Sequence, residues 1–203
     1  MNIDVDLRSK VVREAAALLY FGAEKEYKQA KTKAAETFGV HFLPSNLEVA
    51  LELDRLAEEK EGTHRKERLI QMRKEALKIM KLLDAYCPLL LGSVWRGTIR
   101  QGSDIDIAAY TESPERIVSI LKVHSIKISK TAWVTVNKHG KTLSSFHIYA
   151  ETAKMAIEIV VRSPEEAGEK RKCEIFGDEI KGLKIQELEK LLKENPVKQF
   201  LPP

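Results

Sequence analysis

The fold of this chain is decided by one stretch of its sequence, Leu91-Gly92-Ser93-Val94-Trp95-Arg96-Gly97-Thr98-Ile99-Arg100-Gln101-Gly102-Ser103-Asp104-Ile105-Asp106-Ile107. An apolar run ends there in a Gly-Ser pair, a polar spacer follows, and acidic and apolar residues then alternate. Side chains of a strand alternate between its faces, so Asp104 and Asp106 are predicted on one face and Ile105 and Ile107 on the other. Residues two apart on a strand lie roughly 6.5–7 Å from each other. Two carboxylates at this spacing can converge on a pair of divalent ions, which two-metal sites hold about 3.5–4 Å apart.

This combination resembles the signature of the DNA polymerase β-like nucleotidyltransferase superfamily, in which an apolar strand ends in Gly-Ser and a spacer leads to Asp-x-Asp. Gly92-Ser93 and Asp104-Ile105-Asp106 match that signature, with Val94 to Ser103 as the spacer. The Gly-Ser-x-x-Arg-Gly-Thr form looks like the archaeal CCA-adding and minimal nucleotidyltransferase branches. The resemblance implies an enzyme that transfers a nucleoside monophosphate from a nucleoside triphosphate, with ATP expected, to an acceptor hydroxyl and releases pyrophosphate.

The superfamily also has a third carboxylate on a later strand, and Glu158 is the best match by position, although Asp is more common there. Glu158 lies in an apolar run, residues 154–162, whose alternation separates it from Ile157 and Ile159. A carboxylate in such a strand normally has a partner or a metal, because burying an unpaired charge is costly. A salt bridge to a Lys or Arg, or an edge strand that faces solvent, would also explain it. Glu151, where the preceding strand is predicted to end, is the weaker candidate.

The resemblance implies a set of site residues. The expected catalytic and metal-binding residues, which would hold two Mg²⁺ ions, are Asp104, Asp106 and Glu158, and the expected nucleotide-binding residues are Gly92, Ser93, Arg96 and Ser103. Gly92 lets the backbone approach the triphosphate closely, and the hydroxyl and amide of Ser93 can donate to its β and γ oxygens at the start of a short helix. The planar guanidinium of Arg96 matches phosphate oxygens, but an ion pair that braces the loop would explain the same residue.

The predicted fold class is α+β, with a helical N-terminal unit over residues 1–86 and a nucleotidyltransferase core over residues 87–203. The core is expected to contain a mixed β-sheet flanked by helices. Strand patterns at residues 132–137 and 144–150, with turn residues at 138–141, predict a hairpin. Its basic and aromatic residues could line a groove for a nucleotide or an acceptor strand, or the aromatic residues could belong to the core: Trp133, Phe146 and Tyr149.

The helical unit is predicted from apolar residues at three- and four-residue spacing. One helix is expected over residues 8–38, with Gly22 placed to divide it. A capping-box sequence starts a second helix, in which Ser45 caps the end and Glu48 bonds back to it. Gly62 is predicted to end this helix and to precede a third one.

Composition narrows the function classes further. The chain has 203 residues, of which 43% are hydrophobic and 32% charged, with a formal net charge of +4. This charge permits nucleic acid or nucleotide as a partner without demanding either. The two cysteines have no zinc spacing, the five histidines have no ligand spacing, and no apolar run has membrane-spanning length. We therefore expect a cytoplasmic protein without membrane contact, and its richness in Lys and Glu is typical of thermophiles.

Two further function classes stay open at this point. The chain could be a non-catalytic regulator that binds nucleotide or RNA, or an antitoxin-like module that binds a small protein partner. The expected partners of the enzyme are a nucleoside triphosphate and an RNA acceptor, although a protein or small-molecule hydroxyl would also serve. The sequence does not distinguish these acceptors.

Overall fold

The computed structural model describes residues 3–138, 141–152 and 155–202. Its helices are α1 (Ile3–Tyr20), α2 (Tyr27–Thr37), α3 (Asn46–Leu82), α4 (Gly92–Arg96), α5 (Pro114–Val123) and α6 (Ile185–Glu194). Its strands are β1 (Leu89–Leu90), β2 (Ile105–Tyr110), β3 (Lys127–Lys138), β4 (Lys141–Glu151) and β5 (Ala156–Arg162). The fold is α+β, with the helices α1 to α3 preceding a five-stranded sheet, as predicted. No helix in the described part of the chain has the length and apolar character needed to cross a membrane.

The first three helices pack through a small core of their own. Gly22 separates α1 from α2 with a φ of 71°, so the predicted division of the first helix is confirmed. The buried residues of this core are small or β-branched with one exception, Leu19: Val11, Ala15, Ala16, Leu19, Ala30, Ala34 and Val49. Alanine at these contacts lets the helix axes approach closely, since it adds almost no side-chain bulk.

Helix α3 begins as predicted and is broken at the predicted glycine. The Ser45 hydroxyl accepts a hydrogen bond from the Glu48 amide at 3.1 Å, and the Ser45 amide donates to the Glu48 carboxylate at 2.7 Å. Gly62 has φ 52° and ψ −130°, outside the helical region. Arg65 forms an ion pair with Asp54, 11 residues earlier. In a straight helix these residues would be about 16 Å apart along the axis, so the bend at Gly62 is sharp.

The sheet has the order β1-β2-β5-β4-β3, in which β2 and β5 are parallel and the other pairs antiparallel. It is therefore mixed, as predicted. One face is packed against the second half of α3, α5 and α6 through a core that includes the strand residues Ile105, Ile107, Ile148, Ile157, Ile159 and Val161. The burial alternates along β5 and leaves Glu158 on the other face, which confirms the predicted alternation.

The hydrophobic core of the sheet also contains residues from the second half of α3, among them Leu69, Met72 and Met80. The two hydrophobic clusters of the chain therefore divide α3 between them at Gly62. The division into units at residue 86 stays a prediction.

The hairpin of β3 and β4 is longer than predicted, and its turn at residues 139–140 lies outside the described residues. Trp133 is paired with Phe146, and their rings are 5.1 Å apart. Phe146 packs against the core, whereas Tyr149, an odd number of residues further along the strand, is paired with Glu158 on the opposite face. The suggestion that these three aromatic residues line one groove is therefore wrong, because the pleat divides them between two faces.

Candidate active site

Three carboxylates meet on the face of the sheet that carries Glu158. Asp104 precedes β2, Asp106 is its second residue, and Glu158 on β5 is the pairing partner of Asp106. Paired residues of adjacent strands lie about 4.8 Å apart and point to the same face. Each of the three side chains is half-buried and offers one carboxylate oxygen, and these oxygens all lie within 4.8 Å of one another.

The alternative explanations for Glu158 do not match its surroundings. Strand β5 lies between β2 and β4, so Glu158 is not on an edge strand. Its ion-pair partner is His147 rather than a Lys or Arg. Glu151, the weaker candidate, lies at the end of β4, where its half-exposed carboxylate is 3.6 Å from the ammonium of Lys127.

The electrostatics of the cluster favour protonation or a bound cation. Burial, followed by the charges of Asp104 and Glu158, raises the pKa of Asp106 to about 7. Burial and the charge of Glu158 also raise the pKa of Asp104, while its own backbone amide and Arg100 oppose that rise. Like charges held this close disfavour each other's ionised form. A cation placed among them would remove this penalty.

The donor set fits a hard divalent cation. Mg²⁺ binds carboxylate oxygens at 2.0–2.1 Å, so two oxygens that share one ion lie at most about 4.2 Å apart. Oxygens within 4.8 Å of one another need only small side-chain adjustments to reach this geometry. Three carboxylates also leave ligand positions for water or phosphate oxygens, as Mg²⁺ sites usually do. Asp104, Asp106 and Glu158 are therefore able to hold a divalent metal ion.

Gly92 lies directly against this cluster. It has a φ of 64° and begins α4, and the amide of Leu91 before it donates to the backbone oxygen of Asp106 at 2.9 Å. A Cβ atom built on Gly92 would be 1.8 Å from Oδ2 of Asp106. No side chain fits there without displacing the carboxylate. Glycine is required at this position by both its backbone conformation and the contact.

The segment that leads into Asp104 is held by its own turn. The amide of Arg100 donates to the Ser103 hydroxyl at 3.0 Å, and the Ser103 amide donates back to the Arg100 carbonyl at 3.0 Å. The carbonyl of Ser93, the other serine of the predicted set, accepts from the amide of Thr98 at 3.0 Å. Both serines thus take part in the loop that connects α4 to β2.

Helix α3 braces the same loop from outside. The guanidinium of Arg65, which is buried, donates to the carbonyl of Ile99 at 2.7 Å. The amide of Gln101 donates to the Glu61 carboxylate at 2.8 Å. These bonds come from residues on both sides of the kink at Gly62, so the kink places them against the loop. Helix α3 therefore helps to hold the loop that leads to Asp104.

Arg96 forms an ion pair, which is one of the two roles that the sequence suggested for it. Its guanidinium is 2.6 Å from the carboxylate of Asp178 and donates to the carbonyl of Phe200 at 2.9 Å. The rings of Trp95 and Phe176 lie 4.5 and 4.2 Å from the guanidinium carbon. Its side chain is buried and its hydrogen bonds tie α4 to the C-terminal segment. The structure thus has Arg96 bracing this region rather than exposed to a phosphate.

A second buried arginine, Arg73 on α3, reinforces this attachment. Its guanidinium is fully buried and donates to four backbone carbonyl oxygens, those of Val94, Trp95, Pro196 and Lys198. Burial lowers its pKa to about 10. The guanidinium therefore stays charged at neutral pH and joins α3, α4 and the C-terminal segment at one point.

Glu158 has polar neighbours on β4 that the sequence did not predict as its partners. Nδ1 of His147 is 2.6 Å from Glu158 Oε1, and Nε2 of the same ring is 2.9 Å from the hydroxyl of Ser145. Tyr149 is paired with Glu158, and its ring is stacked on that of His147 with centroids 6.3 Å apart. The alternation of the predicted strand at 144–150 places Ser145, His147 and Tyr149 on one face. The strand register that brings this face to Glu158 cannot be predicted from a local sequence pattern.

A cleft of about 510 Å³ lies elsewhere, between α3 and the C-terminal segment. The described residues that line it include Asp54, Arg65 and Gln199 but none of the three clustered acids. Several of its polar groups bind each other, since Gln199 donates to the Asp54 carboxylate at 3.0 Å. The acidic cluster on the sheet, rather than this cleft, is the candidate active site.

Comparison with known proteins adds little. No family model matches the chain, and no curated protein matches it. Among solved structures, the chain is similar to a chain in the structure of a GLD-2/RNP-8 complex, with 12% sequence identity and a TM-score of 0.34. The match covers 60% of this chain and 44% of the other, so it spans less than half of that chain's length. The function is therefore argued from the geometry of the site.

Proposed function

We propose that this protein is a metal-dependent nucleotidyltransferase of the DNA polymerase β-like superfamily. The observation that carries the proposal is the convergence of Asp104, Asp106 and Glu158 from two adjacent parallel strands, with carboxylate oxygens within 4.8 Å of one another. The contact of Gly92 with Asp106 supports it, because it joins the Gly-Ser turn and the Asp-x-Asp strand in one site.

In the proposed reaction the oxygen of an acceptor hydroxyl forms a bond to the α-phosphorus of a nucleoside triphosphate. The bond from that phosphorus to the bridging oxygen breaks, and pyrophosphate leaves with the electron pair. Two bound Mg²⁺ ions supply Lewis-acid activation and neutralise the charge on the phosphates. Asp104 and Asp106 would hold these ions, and the carboxylate of Glu158 would complete the metal site and accept the proton of the acceptor hydroxyl.

The remaining residues of the site orient the triphosphate. The absence of a side chain at Gly92 leaves the backbone open beside Asp106, and the Ser93 hydroxyl follows directly. Ser103 contributes through the turn that holds Asp104. Lys130 is a better candidate than Arg96 for a phosphate contact, because it is exposed, is paired with Tyr149 on the face of the acids, and has its ammonium 5.9 Å from that ring.

The donor is expected to be ATP and the acceptor an RNA 3′ end. The exposed basic side chain on the face of the acids is consistent with a polyanionic substrate. A regulator that binds nucleotide or RNA without turnover, or a module that binds a small protein partner, is the alternative that the experiment must separate.

The test measures binding and turnover in the same protein. Each of the four nucleoside triphosphates is titrated with Mg²⁺ by calorimetry into the wild type, the Asp104→Asn/Asp106→Asn double variant, and Asp84→Asn, an exposed control. Pyrophosphate release is then followed with RNA oligonucleotides as acceptors. We expect metal-dependent binding and transfer in the wild type and in the control, and neither in the double variant, because two of the three carboxylates that would hold the ions are neutralised.

Three outcomes separate the function classes. Binding without pyrophosphate release from any acceptor would support the regulator. Absence of Mg²⁺-dependent binding in the wild type would reject the enzyme. Transfer by the double variant would reject the assignment of the two aspartates.

A further inference from the structure

The carboxylate of Glu158 is held by a chain of polar side chains on β4. His147 lies between them, with Nδ1 2.6 Å from Glu158 Oε1 and Nε2 2.9 Å from Ser145 Oγ. The exposed fractions of the His147 and Glu158 side chains are 17% and 21%, so both are mostly shielded from water. Strands β4 and β5 are antiparallel neighbours, and their register brings this face of β4 to Glu158.

The two contacts of His147 indicate which ring nitrogen donates a hydrogen bond and which accepts one. A neutral imidazole donates from one nitrogen and accepts at the other. A carboxylate only accepts, so Nδ1–H donates to Glu158, and in the neutral imidazole Nε2 then accepts from the Ser145 hydroxyl. The stacked ring of Tyr149 covers one side of the imidazole. The orientation of His147 is thus determined by Ser145, Tyr149 and Glu158 together.

A glutamate has a long side chain whose freedom must be removed before its carboxylate can serve as a fixed ligand. Glutamate is among the residues that lose the most side-chain entropy when they are immobilised. A hydrogen bond from a rigid imidazole on a neighbouring strand offsets this cost in the folded protein, before any cation binds. His147 uses one oxygen lone pair and the Tyr149 hydroxyl hydrogen-bonds the same carboxylate, which has further lone pairs for a cation.

We propose that His147 is a positioning residue that holds the Glu158 carboxylate in its metal-binding orientation. The inference rests on the proposed function, because it assigns to Glu158 the role of a metal ligand. Hydrogen-bond partners that orient metal ligands typically contribute 10–100-fold to metal affinity. His147 acts through Glu158 and touches neither the ion nor the substrate.

The experiment measures Mn²⁺ affinity by calorimetry in the full chain. The variants are His147→Ala, which removes the donor, and His147→Asn, whose amide can take the place of Nδ1–H. His124→Ala is the matched control, because His124 is exposed at the end of α5. We expect affinity to fall about 10–100-fold in His147→Ala, to return to within about threefold of wild type in His147→Asn, and to stay unchanged in the control.

A second comparison separates positioning from a direct or purely structural role. In a Glu158→Gln background, His147→Ala is expected to cause no further loss of Mn²⁺ affinity, because its effect passes through the carboxylate. An additive loss in that background would overturn the inference. Circular dichroism of each variant verifies that the fold is retained.

Other results of the Mn²⁺ titrations separate failure of this inference from failure of the proposed function. Wild-type affinity in His147→Ala, or a His147→Asn variant as weak as the alanine variant, would overturn the inference and leave the proposed function standing. Absence of Mn²⁺ binding in the wild type would overturn both.

Discussion

Neutralising Asp106 should stabilise the metal-free protein, although it destroys the proposed site. Burial and the neighbouring acids raise the pKa of this carboxyl from 3.8 to about 7. Between these two pH values the folded protein binds more protons at Asp106 than the unfolded chain does. The free energy of unfolding therefore falls as the pH rises through this window, since stability changes with pH in the direction set by the difference in bound protons.

The magnitude follows from the same two values. A pKa difference from 3.8 to about 7 corresponds to about 4 kcal/mol of lost stability once the pH exceeds the higher value. Relaxation of the site and entry of water reduce this ceiling, so we expect Asp106→Asn to raise the free energy of unfolding by about 2–4 kcal/mol at about pH 8. Near pH 4, where Asp106 is protonated in the folded protein, the variant and the wild type should have nearly equal stability.

The assay is urea denaturation in the presence of a chelator at several pH values, with Asp84→Asn as an exposed control that should show no such trend. Adding Mg²⁺ at about pH 8 should stabilise the wild type through binding to the folded state and leave Asp106→Asn unchanged. If Asp106→Asn is no more stable than the wild type in chelator at high pH, the three acids do not repel one another in the folded protein.

Two further substitutions test the packing around the site. Gly92→Ala should abolish Mn²⁺ binding, because its Cβ would lie 1.8 Å from Oδ2 of Asp106. The control Gly102→Ala, with φ 80° and open space around it, should keep Mn²⁺ binding and lose only about 1–2 kcal/mol of stability. Equal Mn²⁺ affinities of the two variants in calorimetry would contradict the contact between Gly92 and Asp106. Arg73→Met should lower the free energy of unfolding by about 3 kcal/mol or more, because four backbone carbonyl oxygens, two of them in buried hydrogen bonds, lose a charged donor. Arg55→Met, which removes the ion pairs of an exposed arginine with Glu52 and Glu59, should cost far less in the same urea titration, and equal losses would contradict the importance of burial.

Several features of the fold and of the candidate site could be predicted from local patterns in the sequence. The alternation around Asp104 and Asp106 predicted their shared face, and the alternation around Glu158 predicted its separation from the buried isoleucines. The capping box at Ser45 and the break at Gly62 were also readable, because each depends on residues within one turn of helix. These features follow from bonds between near neighbours in the chain, which is why the sequence expresses them directly.

Contacts between distant residues were outside the reach of such patterns. The partner of Arg96 is Asp178, 82 residues away, and a guanidinium suits a carboxylate as well as it suits a phosphate. Sequence left its two interpretations open for that reason. The division of Trp133 and Tyr149 between opposite faces of the hairpin likewise depends on the register of β3 and β4, which pairs Trp133 with Phe146.

From the sequence alone we could predict the shared face of Asp104 and Asp106, the selection of Gly92, the α+β class and the strand that carries Glu158. Only the tertiary structure placed Glu158 opposite Asp106, brought His147 and Ser145 to its carboxylate and turned Arg96 toward the C-terminal segment. The physical reason is strand register. A shift of one residue between β4 and β5 would leave every local pattern unchanged and would carry His147 to the other face of the sheet, so the register is selected by the burial of the whole core.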